Sequence, residues 1–470
     1  MPPIDVAPPR EPTELDQRLP SRQARTVAAP MLFVVLEGNR PLVGGARYAL
    51  AGVDEVVIGR GERRGVTRTR STATLTLTLP SAVLSGRHAR IVRSPEGWVV
   101  EDLQSRNGTL INGKLVERAV LRPGDLIDVG RVFLAVEEVQ VSADEAAGDV
   151  DAGDVASARA GLTTLWPPLE AHLGDLRRIA AQDVTVTLVG ETGTGKEVMA
   201  EALHHLSGRT GPYVAINCGA VPANLIESQL FGHVRGAFSG AAAASPGTIR
   251  AAHGGTLLLD EIVSTSPDVQ VALLRVIQEK QVTPVGTHQA VAVDVRFVAA
   301  SQIPLKDAAA KGTFRPDLQM RLEGYVFRIP PLRARRVDLG VLVAALLRRR
   351  GVTESSGATI TPNAALRLLR YHWPGNVREL EQALARSWAL ARDGQIDEAH
   401  LPDPEAEDAD STTAPAAEPD GDEQLRAELS EHLRVTGGNV AETARRMGRA
   451  RPLVHRWLKR LGVDPASYRR

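Results

Sequence analysis

The chain has 470 residues, too many for a single hydrophobic core, so its length predicts two to four domains. Hydrophobic residues make up 43% of the sequence, which excludes a chain that is disordered throughout, and a formal net charge of zero means that any basic surface is local. The single cysteine, Cys218, excludes an internal disulfide. No apolar run is long enough to span a bilayer and the first residues lack the form of a signal peptide, so we expect a cytoplasmic protein.

The first predicted domain is all-β. Residues 1–30 are rich in proline and charge, and we expect them to form a disordered lead. From residue 31 to residue 140, short β-rich runs alternate with Gly, Asn, Pro and Ser turns, a pattern typical of a β-sandwich or barrel. Residues 141–161 are mostly Ala, Asp and Gly, so we expect a linker.

Four short motifs follow one another in this region: Gly59-Arg60, Ser85-Gly86-Arg87-His88, Ser105-Arg106-Asn107-Gly108-Thr109 and Asn112-Gly113. Their order resembles the forkhead-associated (FHA) domains, β-sandwiches that bind phosphothreonine with loops at one end. The resemblance implies that Arg60 and Ser85 bind the phosphate, with Arg106 nearby, and arginine suits phosphate by charge and shape. It also implies that Asn107 holds the peptide backbone, while a sandwich with an inactive binding face is the alternative. The arginines between the first two motifs are expected in a solvated loop: Arg63, Arg64, Arg68 and Arg70.

A glycine-rich loop organises the middle of the chain. It lies between a β-branched run, residues 184–189, and helix-forming residues, and it reads Gly190-Glu191-Thr192-Gly193-Thr194-Gly195-Lys196-Glu197. In this setting the backbone N–H groups and the helix N-terminus point at phosphate oxygens, and Lys196 reaches the outer phosphates. Glu197 stands where Ser or Thr usually holds magnesium. The pattern predicts a phosphate-binding loop, and a turn that binds nothing is the alternative.

Strands and helices alternate from residue 162 to residue 335, which predicts an α/β subdomain with a doubly wound parallel sheet, and residues 336–402 are predicted to be helical. The predicted strands are Thr185–Val189, Tyr213–Asn217, Thr256–Asp260, Val293–Ala300 and Tyr325–Ile329. The third strand ends in Asp260 and Glu261, so both carboxylates should lie beside the phosphate loop. We expect Asp260 to hold Mg²⁺, directly or through water, and Glu261 to polarise the attacking water. A chance acidic pair at a helix start is the alternative.

The stretch Gly236-Ala237-Phe238-Ser239-Gly240-Ala241 resembles the signature loop of bacterial enhancer-binding proteins, the AAA+ activators of sigma-54 RNA polymerase. In that family the loop contacts the sigma factor, which implies the same role for residues 236–241, with Phe238 central. Ser239 replaces the family's threonine and keeps its hydroxyl. The resemblance extends over residues 162–402 and accounts for Glu197, because the family usually has Glu after the lysine. It also implies that Asn217 restrains Glu261 as a switch.

The same resemblance assigns residues that sense the nucleotide. Arg315 and Arg321 match the arginine-finger segment, which implies that they reach the nucleotide of a neighbouring subunit. Arg378, in Trp373-Pro374-Gly375-Asn376-Val377-Arg378, matches the second sensor of a helical lid, and Gln302 stands where the first sensor has Asn. The family implies ATP and Mg²⁺ as cofactors. Fingers that act between subunits require an oligomer, and family analogy implies a hexamer.

The end of the chain combines an acidic and a basic segment. Residues 403–422 contain no Lys or Arg and are expected to be a flexible linker, whereas residues 423–470 are basic and helical. Two helices separated by a turn resemble a Fis-type helix-turn-helix, with Pro452 suited to a first helical turn. This implies double-stranded DNA binding through Arg451, His455, Arg456 and Lys459. A basic helical hairpin used for dimerisation is the alternative.

These modules together indicate a transcription activator. The FHA domain would read a phosphothreonine protein, the ATPase would remodel sigma-54 holoenzyme, and the helix-turn-helix would hold the assembly on DNA upstream of promoters. Two other interpretations stay open. Ser239 and Gln302 leave room for a regulator that no longer engages sigma-54, and a phosphoprotein-binding scaffold with a vestigial ATPase is the second.

Overall fold

The computed structural model describes residues 26–142, 148–155, 162–222, 224–238, 241–402, 426, 429–447, 454, 457–458, 461 and 463–468. The chain divides into two compact units, Met1–Leu401 and Pro402–Arg470. Within the described ranges, none of the helices combines the length and hydrophobicity that a membrane crossing requires. A β-sandwich, a parallel α/β sheet and a helical region follow one another in the first unit, as predicted.

The sandwich consists of two sheets. One has seven strands in the order β13-β2-β1-β12-β11-β8-β9, and the other has six in the order β10-β7-β6-β3-β5-β4. The pairs are antiparallel except β3 with β5. The strands are β1 (Thr26–Glu37), β2 (Ala46–Ala49), β3 (Glu55–Arg60), β4 (Gly65–Thr69), β5 (Thr74–Leu79), β6 (Ala89–Ser94), β7 (Gly97–Asp102), β8 (Thr109–Ile111), β9 (Lys114–Val116), β10 (Arg118–Val120), β11 (Ile127–Val129), β12 (Val132–Ser142) and β13 (Val150–Asp151).

The predicted lead and linker are partly ordered, so their boundaries were wrong. Strand β1 begins at Thr26, inside the predicted lead of residues 1–30, because it pairs with β12 along its length. Within the predicted linker, residues 141–161, Val150 pairs with Arg47 and extends the sheet. Asp151 forms an ion pair with the buried Arg64 guanidinium, which gives this Asp- and Gly-rich segment a fixed position.

The α/β subdomain has a five-stranded parallel sheet in the order β15-β16-β19-β14-β20. Helices cover it because parallel strands need crossover connections. Helix α6 begins at Pro267, after Ser266, whose side chain accepts a hydrogen bond from the Val269 N–H. A short helix, α1 (Ala152–Val155), precedes the subdomain. Its elements are α2 (Pro167–Ala180), β14 (Val186–Val189), α3 (Lys196–Ser207), β15 (Tyr213–Asn217), α4 (Ile226–Phe231), α5 (Gly247–Ala251), β16 (Thr256–Asp260), α6 (Pro267–Glu279), β17 (Gln281–Val282), β18 (Val291–Ala292), β19 (Arg296–Ser301), α7 (Leu305–Ala310), α8 (Pro316–Leu322) and β20 (Tyr325–Arg328).

The helical lid, residues 336–402, contains three helices and one short strand pair that its sequence did not indicate. Strands β21 and β22 are two residues each and run parallel. Helix α10 starts as α6 does, with Thr361 accepting from the Ala364 N–H and proline at the first position. The elements are α9 (Leu339–Arg349), β21 (Thr359–Ile360), α10 (Pro362–Arg370), α11 (Asn376–Leu390) and β22 (Gln395–Ile396).

The sandwich and the lid share one hydrophobic core. Strand β1 is buried on both faces: Leu32 and Val34 point into the sandwich, whereas Met31 and Phe33 pack in the same cluster as lid residues such as Val343. The backbones approach closely as well. A Cβ on Gly340 of α9 would lie 1.9 Å from the Val35 carbonyl oxygen. The sandwich is therefore packed directly on the lid.

The second unit, Pro402–Arg470, is helical in its described part. Residues 429–435 are helical and are followed by α12 (Val440–Arg446). The Thr436 and Thr443 hydroxyl groups are 2.7 Å apart and hydrogen bonded. A small core holds this unit together, and it consists of Leu429, Leu433, Ala444, Val454, Leu458 and Val463.

Asp128 makes the stability of the sandwich depend on pH. Its carboxylate is buried and accepts a hydrogen bond from the Arg131 N–H at 2.9 Å, and burial raises its pKa to about 6. The folded state therefore holds this proton more tightly than the unfolded state, so stability is lost as the pH rises through 6. We expect Asp128→Asn to stabilise the protein at pH 7.5, by up to about 3 kcal/mol, and to have little effect near pH 4.

Thermal unfolding of both proteins across this pH range measures the difference. Asp54→Asn, which changes an exposed aspartate of the same sandwich, is the control and should leave the melting temperature unchanged. A gain in melting temperature for Asp128→Asn that is equal at pH 4 and pH 7.5 would contradict the assignment.

Candidate functional site

The glycine-rich loop connects β14 to α3 at the edge of the parallel sheet. Gly193 and Gly195 have φ angles of 78° and 102°, which residues with a Cβ rarely adopt. The Lys196 Nζ points back over the loop and donates to the carbonyl oxygens of Gly190 at 2.8 Å and Glu191 at 3.1 Å. The loop therefore has the curled backbone and the inward lysine that phosphate binding requires.

Two carboxylates lie opposite this lysine. Burial lowers the pKa of Lys196, while the charges of Asp260 and Glu261 act in the opposite direction, which places both acids near its ammonium group. Asp260 ends strand β16, and its Oδ1 accepts from the Glu261 N–H at 2.9 Å. Glu261 has a φ angle of 52°, a conformation that is costly for a residue with a side chain and recurs at functional sites.

A magnesium ion fits these groups only as a partner of bound phosphate. Among the described residues, no cluster of three or more His, Cys, Asp or Glu side chains could hold a metal ion alone. Mg²⁺ commonly takes one or two carboxylates, with phosphate oxygens and water completing its octahedron. Asp260 beside Lys196 matches that donor set.

Asn217 lies beside Glu261 but is held by its own turn. Its Oδ1 accepts from the N–H groups of Gly219 at 2.9 Å and Ala220 at 3.0 Å. A Cβ on Gly219 would lie 2.3 Å from the Glu261 Oε2 and 3.4 Å from the Asn217 Oδ1. The two side chains therefore border the same glycine, close to the pairing that the resemblance implies.

The lid rests directly on the glycine-rich loop. A Cβ on Gly193 would lie 2.1 Å from the Gly375 carbonyl oxygen, and the Arg378 N–H donates to the Gly193 carbonyl at 3.2 Å. The Arg378 side chain is exposed above the loop, and its charge lowers the pKa of Lys196. The predicted second sensor thus lies next to the predicted phosphate site.

Asn376 joins the lid to the loop, a role that the sequence reading missed. Its buried side chain accepts from the Leu332 N–H at 2.8 Å and donates to the Thr192 carbonyl at 3.0 Å and the Glu191 Oε2 at 3.1 Å. Arg333 forms a two-point ion pair with Glu191, and this pairing lowers the pKa of the Glu191 carboxyl. In the sequence, the proline pair at residues 330–331 and the closely spaced arginines that follow it were the available signal that this subdomain boundary contacts the loop.

A buried ion pair also stabilises the contact between the lid and the glycine-rich loop. Arg335 and Asp338 lie 3.7 Å apart, and the Arg335 Nη2 donates to the Thr194 carbonyl at 3.4 Å. Asp338 is fully buried and accepts from the Thr164 hydroxyl and the Leu165 N–H, each at 2.7 Å. The segment before α2, the lid and the phosphate loop are therefore joined by one polar network.

A pocket of about 430 Å³ opens beside the start of the loop. Its walls come from the N-terminal part of α2, from the loop itself and from the segment after β20. Gln302, the predicted first sensor, lines it and is exposed. The remaining lining residues are mostly apolar or aromatic, and they include Trp166, Leu169, His172, Val189, Ile329 and Pro330. The size and lining suit a nucleoside adjoining the phosphate loop.

Three predicted nucleotide residues lie outside these contacts. Glu197 is exposed in the first turn of α3, whereas Thr192 is exposed at the loop and its carbonyl accepts from Asn376. Arg315 and Arg321 are exposed on and beside α8, and Arg315 pairs with Asp317 at 2.7 Å. Within the part of the chain that the structure describes, neither arginine contacts the phosphate loop.

Backbone hydrogen bonds connect the described residues of the predicted sigma-contact loop. The Gly236 N–H donates to the Ala241 carbonyl at 2.9 Å, and the Ala241 N–H donates to the Phe238 carbonyl at 3.0 Å. Phe238 is 38% exposed and stacks edge-on against His233, with ring centroids 5.1 Å apart. Ala237 packs near Gly286, which lies in the segment between β17 and β18. Ser239 and Gly240 lie outside the described residues.

The predicted phosphopeptide residues meet at one end of the sandwich. The Arg60 N–H donates to the Ser85 carbonyl at 2.9 Å, and the Ser85 hydroxyl accepts from the Arg106 N–H at 3.1 Å. The Asn107 side chain donates to the Val83 carbonyl at 2.6 Å. His88, fully buried, contacts the Ser85 N–H and the Gly108 carbonyl, so it connects these loops.

The basic stretch after Arg60 is not simply a solvated loop. The Arg64 side chain is only 4% exposed and pairs with Glu37 at 2.9 Å and with Asp151. Its guanidinium also donates to the Gly44 carbonyl at 2.9 Å. Long-range ion pairs of this kind leave no local sequence signal.

The four predicted DNA-contacting residues, Arg451, His455, Arg456 and Lys459, lie outside the described residues.

Comparison with protein families assigns three parts of the chain. Residues 165–328 match the sigma-54 interaction domain, residues 333–418 match the AAA+ ATPase lid domain and residues 56–130 match the FHA domain. The matched regions coincide with the α/β subdomain, the helical lid and the sandwich. They confirm the predicted FHA and AAA+ parts of the fold.

Similar proteins are bacterial transcription regulators. The acetoin catabolism regulatory protein of Cupriavidus necator is 40% identical over 345 residues, which cover 71% of this chain and 50% of that protein. The transcriptional regulatory protein ZraR of Klebsiella oxytoca is 41% identical over 302 residues, covering 62% and 67%. The C4-dicarboxylate transport transcriptional regulatory protein DctD of Rhizobium meliloti is 42% identical over 322 residues, covering 67% and 68%.

The chain thus spans half the length of the first of these relatives and about two thirds of the other two. The match to the sigma-54 interaction domain and the extent of these similarities agree with the geometry around Lys196 and the lid. The chain belongs to the family of sigma-54-dependent transcription regulators, in which it combines an FHA domain with an AAA+ domain and its lid.

Proposed function

We propose that the chain is an ATP-hydrolysing activator that remodels sigma-54 RNA polymerase holoenzyme and is regulated by phosphothreonine binding at its FHA domain. The observation that carries the proposal is the meeting of Lys196, Asp260 and Glu261 at one sheet edge, with the lid resting on the phosphate loop. These groups have the charges and positions that phosphoryl transfer from ATP requires.

The residues of the site divide the work of hydrolysis. The backbone of residues 190–195 and the Lys196 ammonium bind the triphosphate of ATP, and the pocket beside the loop takes the nucleoside. Mg²⁺, when bound at Asp260, offsets charge on the phosphate oxygens. Glu261 orients and polarises the attacking water, since its carboxylate lies on the same edge as Asp260.

The exposed arginines make hydrolysis a property of an oligomer. Arg315 and Arg321 reach the nucleotide of a neighbouring subunit and stabilise the charge of the transition state, a contribution of about 10³- to 10⁵-fold in rate. This requires a ring, and we propose a hexamer. Arg378, in the lid, and Gln302, which follows strand β19, sense the state of the bound nucleotide, and Asn217 restrains Glu261.

Turnover is delivered to the polymerase through residues 236–241. Phe238 is a partly exposed aromatic side chain, and such side chains bind partners strongly because they bury much apolar area. The FHA loops around Arg60 and Ser85 bind a phosphothreonine protein, such as a Ser/Thr kinase substrate.

The C-terminal unit binds double-stranded DNA upstream of promoters as a helix-turn-helix, through Arg451, His455, Arg456 and Lys459.

Two substitutions separate nucleotide binding from turnover. We expect Lys196→Ala to abolish nucleotide binding, because the Lys196 ammonium is the positive charge that the glycine-rich loop itself offers to the phosphates. Glu261→Gln should bind ATP normally and hydrolyse it about 10²- to 10⁴-fold more slowly, because the water is no longer polarised. Phosphate release and nucleotide titration measure both effects. Lys306→Ala and Glu279→Gln, which change exposed residues, are the controls. Wild-type hydrolysis no faster than that of Lys196→Ala would refute the ATPase.

Arg60 tests the phosphothreonine site. We expect Arg60→Ala to weaken binding of a phosphothreonine peptide library by at least about tenfold, because a charged hydrogen bond to phosphate is lost. Arg63→Ala, at an exposed arginine three residues away, should bind as the wild type does. Fluorescence anisotropy measures the affinities. If the wild type binds phosphorylated and unphosphorylated peptides equally well, the FHA domain does not read phosphothreonine.

A further inference from the structure

One side chain of the FHA domain reaches the segment that walls the nucleotide pocket. Arg47, on β2, is 1% exposed. Its Nη1 donates to the Leu165 carbonyl at 3.0 Å and its Nη2 donates to the Glu170 Oε2 at 2.8 Å. Its Nε and Nη2 also donate to the Gly148 carbonyl, at 3.1 and 3.0 Å. A single guanidinium thus joins β2 to two other segments of the chain, one at Gly148 and one at residues 165–170.

Two of these partners bracket the pocket wall. Leu165 lies two residues before the start of α2 at Pro167, and Glu170 lies in the first turn of that helix. Between them, Trp166, Pro168 and Leu169 line the pocket beside the phosphate loop. Arg47 therefore contacts this part of the wall on either side of Trp166, Pro168 and Leu169.

The lid holds the same segment independently. Asp338 accepts hydrogen bonds from Thr164 and from the Leu165 N–H, and it is paired with Arg335, which reaches the phosphate loop at Thr194. The N–H of Leu165 is thus fixed by the lid and its carbonyl by the FHA domain. The position of the next residue, Trp166, depends on both.

The chemistry of this contact requires arginine. The planar guanidinium donates in three directions from one rigid fork, whereas a lysine ammonium on the same path cannot reach all three acceptors. Removing the group leaves the buried Leu165 carbonyl without this donor, which costs more than the bond itself contributes. The wall would then shift to find new partners.

We propose that Arg47 is a positioning residue of the nucleotide site, so that the FHA domain forms part of the support of the ATP pocket. The inference rests on the proposed ATPase function. Arg47 acts on the wall that meets the nucleoside and does not touch the loop that binds phosphate. Loss of this support should weaken binding of ATP and leave binding of a bare triphosphate unchanged.

Competition binding with the full chain tests this. Displacement of a fluorescent ADP analogue is measured with ATP and, separately, with inorganic tripolyphosphate, for the wild type, Arg47→Lys and Glu170→Ala. Glu170→Ala removes one partner at a half-exposed helical position, where alanine keeps the helix. We expect both variants to bind ATP at least about fivefold more weakly and tripolyphosphate within about twofold of the wild type.

The control is Arg90→Met, which removes another arginine of the sandwich, one that pairs with Glu101 at 2.7 Å in the sheet that does not contain β2. It should bind both ligands as the wild type does. Unchanged ATP affinity in Arg47→Lys and Glu170→Ala would overturn the inference, and so would an equal loss for ATP and tripolyphosphate, which indicates general destabilisation. A folded wild type that binds neither ligand would instead refute the nucleotide site itself, and the inference with it.

Discussion

The lid can rest on the phosphate loop only because two glycines allow their backbones to meet. With any side chain at Gly193, a Cβ would lie 2.1 Å from the Gly375 carbonyl oxygen. This approach places Asn376 where its amide bridges the loop to Leu332, and it places Arg378 above the site. Since the FHA sandwich also packs on the lid, this contact links the phosphate loop to the lid and, through the lid, to the sandwich.

The packing of the sandwich on the lid changes how the FHA domain relates to the ATPase. Strand β1 is buried on both faces, so it serves two cores at once. Arg64, four residues after Arg60, pairs with Glu37 at the end of that strand, and the neighbouring Gly38 carbonyl accepts from the Ile360 N–H of the lid at 2.7 Å. The segment after the predicted phosphate-binding residue Arg60 and the lid are therefore joined by a short series of direct contacts.

The sequence predicted the parts that depend on local patterns. The five parallel strands lie within a few residues of their predicted positions, and the loop at Lys196 and the FHA motifs follow their expected geometry. The core that the sandwich shares with the lid was not predicted, because the apolar run Met31–Leu36 was interpreted as an ordinary strand of a sandwich. The run does not alternate apolar with polar residues, and this pattern indicates burial on both faces. Arg47 and Arg64 were missed because their partners are up to 123 residues away.

The central claim is that ATP turnover at this site is delivered to the polymerase through the tip of one loop. The most direct measurement is open-complex formation by sigma-54 holoenzyme at an enhancer-dependent promoter, with ATP and the full chain, comparing the wild type with Phe238→Ala. The account predicts that Phe238→Ala hydrolyses ATP at the wild-type rate and forms no open complex. Equal open-complex formation by the two proteins would contradict it.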